Sequence, residues 1–175
     1  TEQGADIEYK QSPISPYAIA KQASFNLVKL YREIHQIKCV TGILFNHESH
    51  LRNENFVTQK IITGAIECSK NKKHKLILGN IDVARDWGWA EEFMEGVQIM
   101  MNSDKIEDQI ICTGKLTTLK EFIEITFNLL GLDWRNHISS NTKLYRKSDI
   151  NISFGDPKKM EKDLGWKAKI DLKET

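Results

Sequence analysis

Apolar residues recur along the chain at helical spacing in four long stretches. In these stretches an apolar side chain returns every three or four positions, as in a helix with one buried face. They cover residues 17–37, 56–69, 89–101 and 117–130. Thr117 with Glu121 is predicted to cap the fourth helix at its start, and Gly131 to end it. A fifth, short helix is predicted between the capping residue Asp156 and Gly165.

Short apolar runs between these stretches predict strands. They lie at residues 38–45, 75–78 and 110–113, and the first is apolar almost throughout, as in a strand covered on both faces. The polar segments 46–55 and 79–88 are predicted to be loops that lead from a strand end to a helix start.

This alternation predicts an α/β protein with a parallel sheet and crossover helices. The order of elements starts with a helix, and no G-x-G-x-x-G turn that could receive a dinucleotide occurs in the sequence. We therefore expect a partial Rossmann-like parallel sheet together with a small carboxyl-terminal substrate-binding lobe. The chain reads as the second half of a larger protein.

Composition narrows the class of partners. The 175 residues are 40% hydrophobic and 28% charged, with a formal net charge of +1, so no strong overall field would attract nucleic acid or a membrane surface. Three widely spaced cysteines predict neither a disulfide framework nor a zinc site, and the histidines have no metal-ligand spacing. We expect a cytoplasmic protein with no bound metal and no membrane span.

The first candidate for chemistry is the pair Tyr17 and Lys21. Four-residue spacing places the phenol and the ammonium on one side of a helix. The ammonium favours the phenolate, so the tyrosine could act as a general base while the lysine binds a hydroxylated ligand. A packed tyrosine beside a solvated lysine is the alternative reading of the same spacing.

The second candidate is the polar segment that follows the first strand. Asn46, His47, Glu48 and Ser49 stand at its carboxyl end, where ligands bind in open α/β sheets. The cations Arg52 and Lys60 follow and could meet a phosphate, although such side chains are more often simply solvated.

The third candidate is the segment around Arg85. Its guanidinium could bind a diphosphate in a bidentate way, or could be held by Asp86. The neighbouring Trp87 and Trp89 are read as packing residues. Residues 145–149, which contain Arg146, are a further possible phosphate contact, or else an exposed charged strand.

Together and in order, the segments SPYAIAK, GILFNHES, FVTQKI, LGNIDVARDWG and LGW resemble the extended short-chain dehydrogenase/reductase superfamily. Within it they resemble the GDP-mannose 4,6-dehydratase family, for which GILFNHES followed by R-x-E and FVT-x-KI is the discriminating part. The resemblance runs from about Ser12 to Trp166. It implies an enzyme with bound NADP that converts GDP-D-mannose to GDP-4-dehydro-6-deoxy-D-mannose and water.

The resemblance also implies roles for individual residues. Tyr17 would take the hydroxyl proton, Lys21 would hold the nicotinamide ribose, and His47 and Arg52 would contact the cofactor. The residues that would surround the GDP-sugar are Asn46, Lys60, Arg85, Arg146 and Asp149. Asp149 stands where the family usually has glutamate, and Trp89 where a histidine is common.

The resemblance further divides the chain. Residues 12–45 would end the dinucleotide-binding domain, and residues 46–175 would be mainly the substrate-binding lobe. The glycine-rich half of the family is absent, as is its Thr/Ser-Ser-Glu element about twenty residues before the tyrosine, whose glutamate is the base at C5. The family further implies a homodimer or homotetramer.

Two alternatives stay open. The chain could belong to a related sugar-nucleotide reductase or epimerase on the same scaffold, against which the NHES-x-x-R segment argues. It could also be a non-catalytic module for nucleotide-sugar binding or oligomerisation, a reading that the missing glycine-rich turn supports.

Overall fold

The computed structural model describes residues 4–145 and 150–175. Its helices, in chain order, are α1 (Pro16–His35), α2 (Val57–Lys70), α3 (Ala90–Met101), α4 (Leu119–Leu129) and α5 (Lys158–Leu164). Two short 3-10 turns lie at Trp134–Asn136 and Thr142–Leu144. The four predicted long helices and the short fifth one are thus confirmed to within two residues at most ends. None of the described helices is long and apolar enough to cross a membrane.

Within the described residues, nine short strands lie between the helices. They are β1 (Gly42–Leu44), β2 (Asn46–Glu48), β3 (Leu76–Leu78), β4 (Ala84–Arg85), β5 (Trp87–Trp89), β6 (Gln109–Ile111), β7 (Thr117–Thr118), β8 (Ile138–Ser140) and β9 (Ile152–Ser153). β1 pairs with β6, β2 with β5 and β3 with β8, all in parallel, while β4 lies between antiparallel β7 and parallel β9. The predicted parallel α/β arrangement is therefore present.

The first strand is shorter than predicted, because its expected start is used in a connection. Gln36 takes the left-handed conformation (φ 54°) that ends α1, and the N–H of Cys39 bonds back to the carbonyl of Ile37. The strand then starts at Gly42. Its side chains are half-buried, so the expectation of a strand covered on both faces is wrong for the described residues.

Both polar segments predicted to be loops contain strands. Asn46–Glu48 continues the direction of β1 and pairs with Trp87–Trp89. These strands could not be predicted from their polar side chains, because the extended backbone is stabilised there by a pairing partner that is distant in sequence.

Two apolar clusters hold the helices on these strands. The α2–α4 core packs Ile61, Ala65 and Cys68 against Phe122, Ile123 and Phe127. The α3–α5 core packs Phe93, Met100 and Ile111 against Met160 and Trp166. Gly96 lets α3 approach that tryptophan closely, since an added Cβ would lie 2.9 Å from its ring.

The helix ends follow local chemistry. α4 begins with a capping box in which Thr118, and not the predicted Thr117, exchanges hydrogen bonds with Glu121. The carboxylate of Asp156 accepts from the N–H of Lys158 at the start of α5 (2.9 Å), and Gly165 ends that helix with φ 67°. Gly131, also at φ 67°, follows the end of α4 as predicted.

Candidate active site

The pairing of β2 with β5 brings two of the candidate segments side by side. Asn46 is in register with Trp87, and His47 with Gly88. The Gly88 position tolerates no side chain, because a Cβ there would lie 2.3 Å from the Phe93 ring. The polar residues after β1 and the residues after Arg85 are thus neighbours in one parallel ladder.

Tyr17 and Lys21 lie on one side of α1, as their spacing predicts. The helix start is fixed by Ser15, whose hydroxyl accepts from the N–H of Ala18 (3.1 Å), and by Pro16 in the first turn. The Lys21 ammonium lies 5.6 Å from the centre of the Tyr17 ring, and Tyr17 is 73% exposed. An exposed phenol with an ammonium beside it can bind a hydroxylated ligand.

His47 is oriented by its own strand. Its Nδ1 lies 2.9 Å from the carbonyl of Phe45, and its ring lies 5.5 Å from that of Phe93 on α3. A backbone partner at one ring nitrogen selects the tautomer in which that nitrogen carries the proton.

Arg52 is held within its own segment. Its Nε lies 3.3 Å from Oε2 of Glu48, and its guanidinium stacks on the Phe56 ring at 3.9 Å. Both contacts fix the orientation of the Arg52 side chain.

Glu48 is a buried carboxylate to which the sequence reading gave no separate role. It accepts from the hydroxyl of Thr58 at 2.7 Å, and burial raises the pKa of Glu48 despite that bond and the charge of Arg52. With Thr58 and Trp89 it lines a cavity of about 490 Å³, whose other walls are residues 49–50, polar and apolar side chains of α2 and α4, and residues 172–175. Alternation along β2 was the signal for it, because Glu48 shares a face with Asn46.

Lys60 and Arg85 are held by different sheets. Lys60 Nζ donates to the carbonyl of Ile77 in β3 (3.0 Å), whereas Arg85 Nη1 donates to the carbonyls of Ala84 (2.9 Å) and Asn151 (3.3 Å). The two predicted phosphate contacts therefore lie on different elements, Lys60 on α2 and Arg85 on β4. Arg146 and Asp149, the remaining predicted substrate contacts, lie outside the described residues.

Asp86 is fully buried and is directed at the turn after β6. Its carboxylate accepts from the N–H (3.0 Å) and hydroxyl (2.7 Å) of Thr113 and from the N–H of Gly114 (2.9 Å). Burial raises the pKa of Asp86, and these hydrogen bonds oppose the shift. Trp87 is buried and packs on Phe122 at 5.3 Å, in line with its reading as a packing residue.

Among the described residues, His, Cys, Asp and Glu side chains form no group of three or more that could hold a metal ion.

Solved structures place this arrangement in a known class of fold. RMD from Pseudomonas aeruginosa, solved with NADPH, superposes with a TM-score of 0.86 at 18% identity, over 98% of this chain and 56% of its own. The dTDP-glucose 4,6-dehydratase of Bacillus anthracis, solved with NAD, gives 0.84 at 18% identity, over 99% of this chain and 55% of its own. The chain thus has the Rossmann-type α/β fold of these two enzymes, which confirms the predicted fold class.

Sequence comparison specifies the family. The profile of the GDP-mannose 4,6 dehydratase family matches residues 2–175, and the chain belongs to this family. GDP-mannose 4,6 dehydratase 1 of Arabidopsis thaliana is 38% identical over 158 residues, which are 90% of this chain and 44% of the relative. The human GDP-mannose 4,6 dehydratase is 33% identical over 179 aligned positions, 93% of this chain and 48% of the relative. The chain spans about half the length of these relatives.

Proposed function

We propose that this chain is the carboxyl-terminal half of an NADP-dependent GDP-mannose 4,6-dehydratase. The reaction converts GDP-D-mannose to GDP-4-dehydro-6-deoxy-D-mannose and water, by oxidation at C4, elimination across C5 and C6, and reduction at C6. The observation that carries the proposal is the family match over residues 2–175, within which the Tyr17 and Lys21 pair is exposed on one side of α1.

The roles of the helix residues follow from their chemistry. A bound nicotinamide supplies the acceptor and donor of hydride. Tyr17 takes the proton of the C4 hydroxyl as that carbon is oxidised, and the Lys21 ammonium binds ribose hydroxyls. Residues 12–45 form the end of the cofactor-binding domain in this proposal.

The rest of the chain binds and orients the two ligands. His47 and Arg52 contact the cofactor, and their orientation by Phe45, Glu48 and Phe56 leaves little rotational freedom to lose on binding. Asn46, Lys60 and Arg85, with Arg146 and Asp149, surround the GDP-sugar. The lobe formed by residues 46–175 therefore recognises mainly the diphosphate, because charge-assisted hydrogen bonds from arginine and lysine favour phosphate oxygens.

The test uses the complete polypeptide that contains these residues. Incubation with GDP-mannose and NADP should give a product that has lost one water and carries a 4-keto group, detected by mass spectrometry and carbonyl trapping. Tyr17→Phe should lower the rate by about 10²–10⁴-fold. Tyr31→Phe, which alters another exposed tyrosine of the same helix, is the matched control and should leave the rate unchanged.

A different product would overturn the proposal in an informative way. A sugar reduced or epimerised at C4 without loss of water would assign the chain to a reductase or epimerase. Binding of GDP-mannose without any turnover would assign it to a non-catalytic module.

A further inference from the structure

Helix α1 contacts the rest of the described chain through one narrow stripe. No residue of the helix is fully buried. Its partly buried residues recur every three or four positions and are Ala18, Gln22, Phe25, Val28 and Arg32.

The strongest contact of this stripe lies at its carboxyl-terminal end. Arg32 and Asp108 form a bidentate pair, with Nη1 2.8 Å from Oδ1 and Nη2 2.7 Å from Oδ2. The same Nη1 donates to the carbonyl of Cys39 at 3.0 Å. Only 19% of the arginine side chain and 10% of the aspartate side chain are exposed. Two parallel hydrogen bonds of this kind fix the relative orientation of the Arg32 and Asp108 side chains as well as the distance between them.

Asp108 connects the helix to the strands. It immediately precedes β6, and its Oδ1 also accepts from the N–H of Thr41 (2.7 Å), which precedes β1. Burial alone would raise the pKa of Asp108, but the hydrogen bonds from Arg32 and Thr41 hold it below its ordinary value, so the carboxylate is charged at neutral pH. One side chain thus joins the end of α1 to the starting edge of the β1 and β6 pair.

Tyr17 lies far along the helix from the Arg32–Asp108 pair, so a small tilt of α1 at the pair displaces Tyr17 by a larger distance. Tyr17 lies fifteen residues before Arg32 in the same helix, which is about 22 Å along its axis. A tilt of about 5° at Arg32 would therefore displace Tyr17 by about 2 Å, and a misplacement of about 1 Å can cost about 10²-fold in rate.

We propose that Arg32 and Asp108 are positioning residues, which fix the direction of α1 and thereby the place of Tyr17 and Lys21 relative to the strand residues Asn46 and His47. The proposal rests on the proposed function for its catalytic consequence. Its structural part, the control of the far end of α1, can be measured without any activity.

The experiment compares three variants of the complete polypeptide. Asp108→Asn removes the negative charge and one of the two acceptors of the bidentate pair. Arg32→Lys keeps the positive charge and removes the bidentate geometry. Asp163→Asn is the control, because Asp163 is also ion-paired, to Lys105 and Lys159, and accepts from the Gln109 amide beside Asp108; in the described structure none of these partners lies on α1. The readouts are kcat, KM for GDP-mannose and amide hydrogen exchange of residues 16–24.

We expect kcat to fall while KM for GDP-mannose changes little. Asp108→Asn and Arg32→Lys should both lower kcat about 10–100-fold and change KM less than about 3-fold, since GDP binds to other elements. Exchange at residues 16–24 should become faster in both variants and stay unchanged in Asp163→Asn. A loss of folded protein alone would instead lower activity in proportion to the folded fraction, with normal constants for the remainder.

Unchanged exchange at residues 16–24 in Arg32→Lys overturns the positioning role, whatever the activity, and decides the question should Asp108→Asn fail to fold. An unchanged kcat in Arg32→Lys also overturns the positioning role. If the wild-type polypeptide does not dehydrate GDP-mannose, the proposed function fails, and faster exchange in the two variants still supports control of the helix by this pair.

Discussion

Arg85 lies on β4, the central strand between β7 and β9. Its Nη1 donates to the carbonyls of Ala84 and Asn151, which orients the guanidinium. We expect Arg85→Ala to weaken GDP binding by about 1–3 kcal/mol, because a charge-assisted contact is lost. Calorimetric titration of the complete polypeptide measures it. Arg135→Ala removes an exposed arginine paired with Asp133 and is the control, and equal affinity in both variants would contradict the prediction.

Glu48 gives a pH-dependent prediction. Its raised pKa means that the folded state binds a proton more readily than the unfolded chain, so stability from this group falls as the pH rises through the folded-state pKa. The stability of the wild type relative to Glu48→Gln should therefore increase as the pH is lowered from neutral towards the ordinary glutamate pKa. Urea unfolding of both proteins across that range measures the difference. A difference between the two proteins that stays flat across this range would refute the assignment.

Individual residues were predictable from the sequence where their geometry is local. The four-residue spacing of Tyr17 and Lys21 fixes their common side on any helix. By contrast, the partners of Arg52 and Asp86 depend on segments that meet only after folding. The sequence offered Arg85 as a partner of Asp86, whereas the structure directs that carboxylate to Thr113 and Gly114.

At the scale of elements, the start of α4 provides a test of the capping box. Thr118→Ala should lower the free energy of unfolding by about 1 kcal/mol, because the N–H of Glu121 loses its acceptor. Thr117→Ala changes the residue that the sequence favoured and should cost clearly less. Chemical denaturation of both variants decides between the two threonines, and the opposite ranking would move the cap back to Thr117.

Helices were predicted well and strands poorly, for a physical reason. The helices carry their own evidence, because an amphipathic stripe and a cap are both local. The strands β4, β7 and β9 are two residues long, and β2 is polar, so each is defined by its partner and not by its own sequence. Such strands cannot be inferred from propensity.

At the scale of the whole molecule, α1 presents exposed apolar side chains that its narrow contact stripe leaves uncovered. They include Ile19, Leu27, Leu30 and Ile34. We expect the complete polypeptide to form a homodimer or homotetramer through this helix, because burial of such a surface is favourable. Light scattering after gel filtration should show the oligomer, and the double variant Leu27→Glu with Ile34→Glu should be smaller. Leu51→Glu, at an apolar residue that is 81% exposed elsewhere, is the control. A monomeric wild type at high micromolar concentration would contradict the prediction.

A polypeptide of these 175 residues alone should neither hold NADP tightly nor form the 4-keto product. It contains Tyr17 and Lys21, but its sequence has no glycine-rich turn to receive the pyrophosphate. Purified chain with GDP-mannose and NADP, followed by carbonyl trapping, gives the answer. Product above the level of a Tyr17→Phe control would show that these residues suffice.

The buried Asp86 influences how the lobe formed by residues 46–175 unfolds. Its side chain receives the turn at Thr113 and Gly114, while its N–H donates to the carbonyl of Ser153 at 3.0 Å. Two segments far from Asp86 in sequence therefore bond to this one residue. Detachment of the Thr113 turn would leave a buried carboxylate short of donors, and detachment of β9 would leave the N–H of Asp86 without an acceptor. We therefore expect β4, β9 and the turn after β6 to unfold together, so that the strand carrying Arg85 is formed only when all three segments are in place.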